Sequence, residues 1–197
     1  LTRCFTNSIE EILNIIGFWF YLEIGSRVNK AALIFTGIVS IQFMMRNTSP
    51  IGWIPLLFIK VFRDGAFVPF LISAVTVAVP VVGFALYFDS WYYSKDLPTF
   101  EWTSTGFNFL KVNLLEGLSK YFGVQPVWFY VGAYAPSIFT VAYPAVMFSI
   151  YFYTKETWAK GQSPEMMYAT IFYVVIFSLI AHKEDRFLLP IIAFCFL

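Results

Sequence analysis

The chain has 197 residues, 59% hydrophobic, 21% aromatic and only 13% charged, with a formal net charge of +1 and a mean hydropathy of +0.70. Soluble domains carry roughly a quarter charged residues, so this is a membrane composition, and the near-zero charge argues against a nucleic-acid partner, which needs a basic patch to neutralise phosphates. Cys4 and Cys195 stand at opposite ends and give neither a metal-ligand spacing nor a disulfide framework. The expected class is an all-α integral membrane protein whose 24 Phe, 12 Tyr and 6 Trp suit helix ends at membrane interfaces.

Asn7-Ser8 followed by Glu10-Glu11 predicts a helix start, a capping side chain and then acids in the first turn. That helix runs to about Glu23 and closes in a basic loop at 25–30. A second apolar segment covers 31–45, and Arg46-Asn47-Thr48-Ser49-Pro50 breaks it with a charge, a turn and a proline. Residues 51–62 are apolar but reach only about 18 Å as a helix, so they form either a tilted span or a re-entrant piece. After a polar turn at 60–65, residues 66–88 are the clearest span, with kinks expected at Pro69 and Pro80.

The stretch 89–126 differs in character, with four acids, three lysines and dense aromatics that include Trp91, Tyr92, Tyr93, Trp102 and Tyr121. Phe107, Leu110, Leu114 and Leu118 recur at spacings of three and four, which predicts an amphipathic helix over 107–121 lying on the membrane surface. Residues 128–153 form a further span containing Pro136 and Pro144, followed by a polar loop at 154–164 and a span over 166–181. Residues 188–197 begin another apolar run.

About six complete spans and part of a seventh result, in one transmembrane domain covering 1–197 without linker or repeat. The start at Leu1 and the stop at Leu197 inside an apolar run lead us to expect an internal fragment of a larger membrane protein. Alternation puts 1–11, 46–50, 89–126 and 182–186 on one side, and the loops at 25–30, 60–65 and 154–164 on the other. The second side holds six Lys/Arg against seven, but in denser short loops, which assigns it to the cytosol.

His182-Lys183-Glu184-Asp185-Arg186 places five ionisable side chains in a row, including the only histidine, between two apolar runs. Charge at the edge of a hydrocarbon layer is costly unless paired or wet, so the cluster is a functional-site candidate, with a polar turn between helices as the alternative. The string His182, Lys183, Glu184, Arg186, Phe187 and Leu188 resembles, position by position, that of the dolichyl-phosphate-mannose-dependent mannosyltransferases, glycosyltransferase family 22 of the GT-C type. Within that family, Thr2-Arg3, Thr6-Asn7-Ser8 and Glu10 are most similar to the branch that adds the third mannose to glycosylphosphatidylinositol (GPI) precursors. Phe107-Asn108-Phe109-Leu110-Lys111, Asn113, Gln125-Pro126, Trp128 and Tyr130 point the same way. N-glycan lipid-linked-oligosaccharide mannosyltransferases share much of the pattern and stand as the alternative. A membrane transporter is a more distant one, disfavoured because the ionisable residues sit at span ends.

The resemblance implies a polytopic GT-C-type helix bundle with a luminal amphipathic helix, in the endoplasmic reticulum membrane. It would transfer an α1,2-linked mannose from dolichyl-phosphate mannose to a GPI precursor, with no cofactor or metal. The acidic residues that deprotonate the acceptor belong to a luminal loop with no match in this chain, so no catalytic base is assigned here. The donor and substrate candidates are His182, Lys183, Glu184 and Arg186, together with Arg46, Asn108, Lys111, Gln125 and Trp128. Lysine offers a point charge to the diester and arginine a bidentate fork, Asn108, Asn113 and Gln125 suit hydroxyls, and His182 can act as an acid, a base or a phosphate donor. Plainer roles stand beside these. Arg46 can snorkel and Lys111 can face water, Trp102, Trp128 and Tyr130 can be interface anchors rather than sugar platforms, and Glu184 and Asp185 can simply pair with the cations. Asn47-Thr48-Ser49 is a formal glycosylation sequon, expected to stay unmodified beside a span.

This string generates a comparison between neighbours. Arg186→Ala in the full-length enzyme is expected to lower mannose transfer or donor affinity about ten- to a hundred-fold, Arg186→Lys less, and Asp185→Asn little. Normal transfer by Arg186→Ala at matched protein levels would make the cluster structural.

Overall fold

The computed structural model describes residues 2–95, 97–112, 116, 118, 121, 123–180, 182–183 and 187–188, with side chains from residue 8 onward except that of Leu110. Among them every regular element is helical: α1 (Thr2–Glu23), α2 (Lys30–Met45), α3 (Trp53–Phe62), α4 (Phe67–Ser73), α5 (Val79–Ser94), α6 (Thr105–Leu110), α7 (Ala135–Phe139), α8 (Tyr143–Ala159) and α9 (Glu165–Leu179). Contacts divide the chain into two compact units. The first holds 1–11, 51–57 and 119–197, the second 12–50 and 58–118; α1 and α3 contribute to both.

The expected cap at Asn7-Ser8 is corrected, because α1 already starts at Thr2 and carries both residues in its interior. Its polarity is inverted relative to a helix in water. Glu10 and Asn14, one turn apart, are buried, whereas Ile12, Ile15, Ile16, Trp19 and Leu22 are exposed. Apolar groups outward and polar groups inward is the arrangement a hydrocarbon surrounding selects.

In the second unit, Asn29 joins α1 to α2: its Oδ1 accepts the Ala32 N–H at 3.1 Å and its Nδ2 donates to the Glu23 carbonyl at 2.9 Å. Helix α2 packs on α4, on the π turn Ala74–Ala78 and on α5. Small and polar groups mediate this contact. Gly37 faces Val77, and Thr36 donates to Ser73 at 2.8 Å. Behind it Gln42, fully buried, donates to Asn14 Oδ1 at 2.8 Å, and Tyr21, Phe35 and Phe70 form a chain of rings.

Two helical runs, Phe67–Ser94 with 28 residues and Tyr130–Ala159 with 30, the second interrupted at Thr140, are long and apolar enough to cross a membrane. Only 11% and 6% of their most apolar windows are buried against protein, which places their side chains against an apolar solvent. At about 1.5 Å per residue the first exceeds the roughly 30 Å hydrocarbon thickness. Shorter apolar helices lie at Lys30–Met45, Ser49–Phe62 and Glu165–Leu179.

The prolines act differently from simple kinks. Pro69 falls in the first turn of α4, where a missing N–H costs no intrahelical bond. Pro80 and Pro136 each follow a π turn, Ala74–Ala78 and Tyr130–Tyr134, closed by Val79 N–H to Ala74 and Ala135 N–H to Tyr130. Widening the ladder by one residue just before the proline makes room for its ring and removes the demand for its absent donor. Between α7 and α8 the chain breaks at Thr140, whose φ of +47° is unusual for a β-branched residue. Helix α5 outruns its expected end at Phe88 because the following loop folds back on it: Asp89 accepts the Thr105 N–H, and Ser90 accepts the Thr103 N–H. Helix α8 likewise continues through Thr154 to Ala159.

The surface helix expected over 107–121 is corrected. Helix α6 spans Thr105–Leu110, capped by the Ser104 hydroxyl on the Phe107 N–H, and runs on at Lys111 with π spacing, its carbonyl accepting the Glu116 N–H at 3.0 Å. Leu118 is 43% exposed, and Leu114 and the Leu110 side chain lie outside the described residues.

At the α3 end, Lys60 is buried and threefold engaged. It donates to the Ile24 carbonyl at 3.0 Å, pairs with Asp64 at 3.1 Å and stands 4.9 Å from the Tyr21 ring centre. Hydrogen bonding from Arg63, then Lys60, holds the Asp64 carboxyl below its ordinary value of 3.8. A depressed carboxylate contributes stability above that value and loses it as pH falls through the lowered one. Lys60→Met is expected to cost about 2–4 kcal/mol, because it strands buried acceptors, and Asp64→Asn about 1 kcal/mol. Denaturant unfolding in detergent checks this, and equal costs would contradict the central role of the ammonium.

Candidate functional site

The core of the first unit is aromatic. Tyr130, Tyr134, Tyr173, Phe177 and Leu188 are buried together, with Ile51, Phe129, Ile138, Val174, Ile180 and Phe187 packed around them. Tyr173 stacks on Phe177 at 4.5 Å, and Phe177 meets Phe187 at 5.4 Å. Phe187 and Leu188, the apolar end of the charged string, are therefore drawn into this core, which fixes where the preceding residues leave α9.

His182 and Lys183 bind main chain. Nδ1 of His182 lies 3.1 Å from the Gly123 carbonyl, which requires the proton on Nδ1 and leaves the lone pair of the neutral ring on Nε2. Lys183, only 6% exposed, donates from Nζ to the Gln125 carbonyl at 3.0 Å and to the Ile180 carbonyl at 2.8 Å. Burial pushes its ammonium below the ordinary lysine value. Two charge-assisted bonds offset much of the desolvation cost. The histidine and the lysine thus hold the 123–125 backbone against the exit of α9.

That backbone leads directly to Trp128. Gly123 has φ +110°, a conformation that favours glycine, and starts the turn. The Phe129 N–H closes back on Pro126 and the Gly132 N–H on Trp128. The Trp128 ring lies against Gly132, where a Cβ would come within 2.8 Å of Cε3, while the residue remains 63% exposed. Gln125 exposes its amide and uses its carbonyl in the lysine contact.

The other candidates fare differently. Arg46, Asn108 and Lys111 belong to the second unit, where the Asn47 amide packs on Gly106 and sets the turn after α2 against the start of α6. Arg46 is half-buried at the end of α2. Asn108 and Lys111 are exposed, three residues apart, and Lys111 reaches Glu116 at 4.0 Å. Trp102 is exposed with its edge against Phe100. Tyr130 is corrected from sugar platform or interface anchor to core residue, with no exposed surface. Glu184, Asp185, Arg186 and Asn113 lie outside the described residues. Sequence reasoning did not single out Gly123 or Gly132. The i, i+4 spacing of Trp128 and Gly132 was a usable signal, whereas carbonyl partners leave none.

The sequence model of the Alg9-like mannosyltransferase family matches residues 1–197. The chain belongs to this family. The mannosyltransferase-family chain is 26% identical over 197 residues to GPI alpha-1,2-mannosyltransferase 3 of Bos taurus, covering 98% of this chain and 34% of that protein. It is also 26% identical over 195 residues to the Homo sapiens protein of the same name, covering 98% and 33%. To GPI mannosyltransferase 3 of Yarrowia lipolytica it is 30% identical over 193 residues, covering 98% and 35%. It therefore spans about a third of the length of the curated relatives it matches. No solved structure matches.

In this mannosyltransferase-family chain, Gly132→Ala is expected to push Trp128 off the helix and cost about 1–3 kcal/mol. In a Trp128→Ala background the same change should be nearly neutral, since the partner is gone. A thermal-unfolding double-mutant cycle reads the coupling, and additivity would show that the two residues do not constrain each other.

Proposed function

We propose that this chain is part of a multi-pass GT-C-type enzyme of the endoplasmic reticulum membrane that transfers mannose from dolichyl-phosphate mannose to a GPI-anchor precursor. The mannose is the third, α1,2-linked one. The observation that carries this reading is the match along 98% of the chain to proteins named GPI alpha-1,2-mannosyltransferase 3, within a family match over its whole length. The all-helical architecture and two apolar 28- and 30-residue runs agree with a site that meets its lipid substrates at a membrane.

In the reaction, an acceptor hydroxyl oxygen attacks the anomeric carbon of the donor. The bond to dolichyl phosphate breaks, the phosphate leaves with the electron pair, and the hydroxyl proton passes to a carboxylate, with inversion. That carboxylate is assigned to the remainder of the protein. The contribution of this chain is to bind and orient. The string beginning at His182 serves the donor phosphate, with Arg186 as its bidentate contact, and Trp128 and Gln125 offer a ring face and an amide to the sugar end.

The full-length protein, expressed in cells whose GPI assembly halts at the two-mannose precursor, is expected to restore the three-mannose glycolipid in a radiolabelled lipid profile. Restoration of a truncated N-glycan precursor in place of the GPI product would assign the chain to the other branch of the family. Restoration of neither would reject the reading.

A further inference from the structure

Lys183 stands in a string whose cations suit a phosphate, yet its ammonium is directed at protein. Two carbonyls from separate segments, Gln125 and Ile180, lie 3.0 and 2.8 Å from Nζ, and the residue is 6% exposed. An ammonium has three donors in tetrahedral directions, so one side chain can bridge acceptors from two separate segments. Desolvation makes its placement conditional on both acceptors, because moving the 125 segment away would strand a covered charge. A second attachment runs parallel to it, from His182 to the Gly123 carbonyl. At the far end the segment is closed by Phe129 N–H to Pro126, Gly132 N–H to Trp128 and the seat of the Trp128 ring on Gly132. Between these ties the side chains of Gln125, Val127 and Trp128 are exposed.

We propose that Lys183 is a positioning residue: it ties the 123–128 segment to the end of α9 through two carbonyls and thereby sets where Gln125 and Trp128 stand when the lipid-linked sugar binds. It acts through the segment and not by contact with the donor phosphate. The proposal rests on the functional reading above for its consequence in transfer, but its structural half can be read without any transfer.

The experiment uses the full-length enzyme with Lys183→Met, Lys183→Gln and Lys183→Arg at matched levels. Glutamine keeps two N–H donors, one bond shorter and without charge, and arginine keeps donors and charge. Hydrogen exchange of the amides across 126–132 is expected to speed up about ten-fold or more in Lys183→Met and much less in Lys183→Gln. Transfer at saturating donor should fall about ten-fold or more in Lys183→Met with donor KM within about two-fold, and Lys183→Gln should recover at least about a third of the lost rate. If Lys183→Gln is as inactive as Lys183→Met while Lys183→Arg is active, charge and not bridging is what matters, and the proposal fails. A large rise in donor KM with unchanged exchange across 126–132 overturns it equally, as does normal transfer by Lys183→Met. Should Lys183→Met not accumulate, the glutamine variant decides: an accumulating Lys183→Gln that transfers supports the bridge, and one that accumulates without transferring refutes it. Failure of the wild-type enzyme to extend the two-mannose GPI precursor rejects the functional reading, while the exchange measurement still tests the bridge.

Discussion

A hydrocarbon layer offers no hydrogen bonds, so each polar group carried into it must find a partner within the protein. Much of this structure follows from that constraint. Hydroxyls bond back to the helix that bears them, as Ser40 to Thr36, Thr76 to Ile72, Ser90 to Leu86 and Thr154 to Ile150. Gln42 meets Asn14, and the ammonium of Lys60 takes the last carbonyl region of α1 at Ile24. Side chains without polar atoms are left to face outward, which is why Ile12, Phe67 and Phe84 are exposed while Gln42 and Ser73 are not.

The same demand shapes the helix interruptions. A proline deprives one carbonyl of its donor, and at Pro80 and Pro136 the ladder has already shifted to the wider π spacing one turn earlier. The second of these lies directly beside Trp128 and within the aromatic core of Tyr130 and Tyr134. The proline therefore takes part in arranging the wall next to the loop, because the wide turn alters which residues of this helix face the core. Thr140 then breaks the helix again before α8, whose first turn holds Pro144.

At the charged string the constraint meets function. The string lies in a chain of the Alg9-like mannosyltransferase family. Local geometry shows where two of its side chains are bonded. One is committed to carbonyls of its own chain, and its neighbour His182 has its Nδ1 proton committed in the same way.

The sequence by itself determined that the protein is helical and apolar, that its breaks fall near 25–30, 46–50 and 60–65, and that the string beginning at His182 marks a family. Composition, breaker residues and a contiguous string are all written in residue identity. What it did not determine were the ends of helices and the roles of single polar side chains. Asn7-Ser8 read as a cap and lies inside α1. The apolar spacing of 107–121 read as one α-helix, but the α-helix ends at Leu110 and gives way to π spacing at Lys111. Tyr130 read as an interfacial ring and is the centre of a core. Lys183 read as a candidate for the phosphate, with no sign of its bonds to the Gln125 and Ile180 carbonyls. In each case the deciding partner is a carbonyl, a glycine Cα or a ring from elsewhere in the chain. Backbone acceptors are identical at every residue, so nothing in the sequence marks which carbonyl a buried lysine will find, and only tertiary packing decides it.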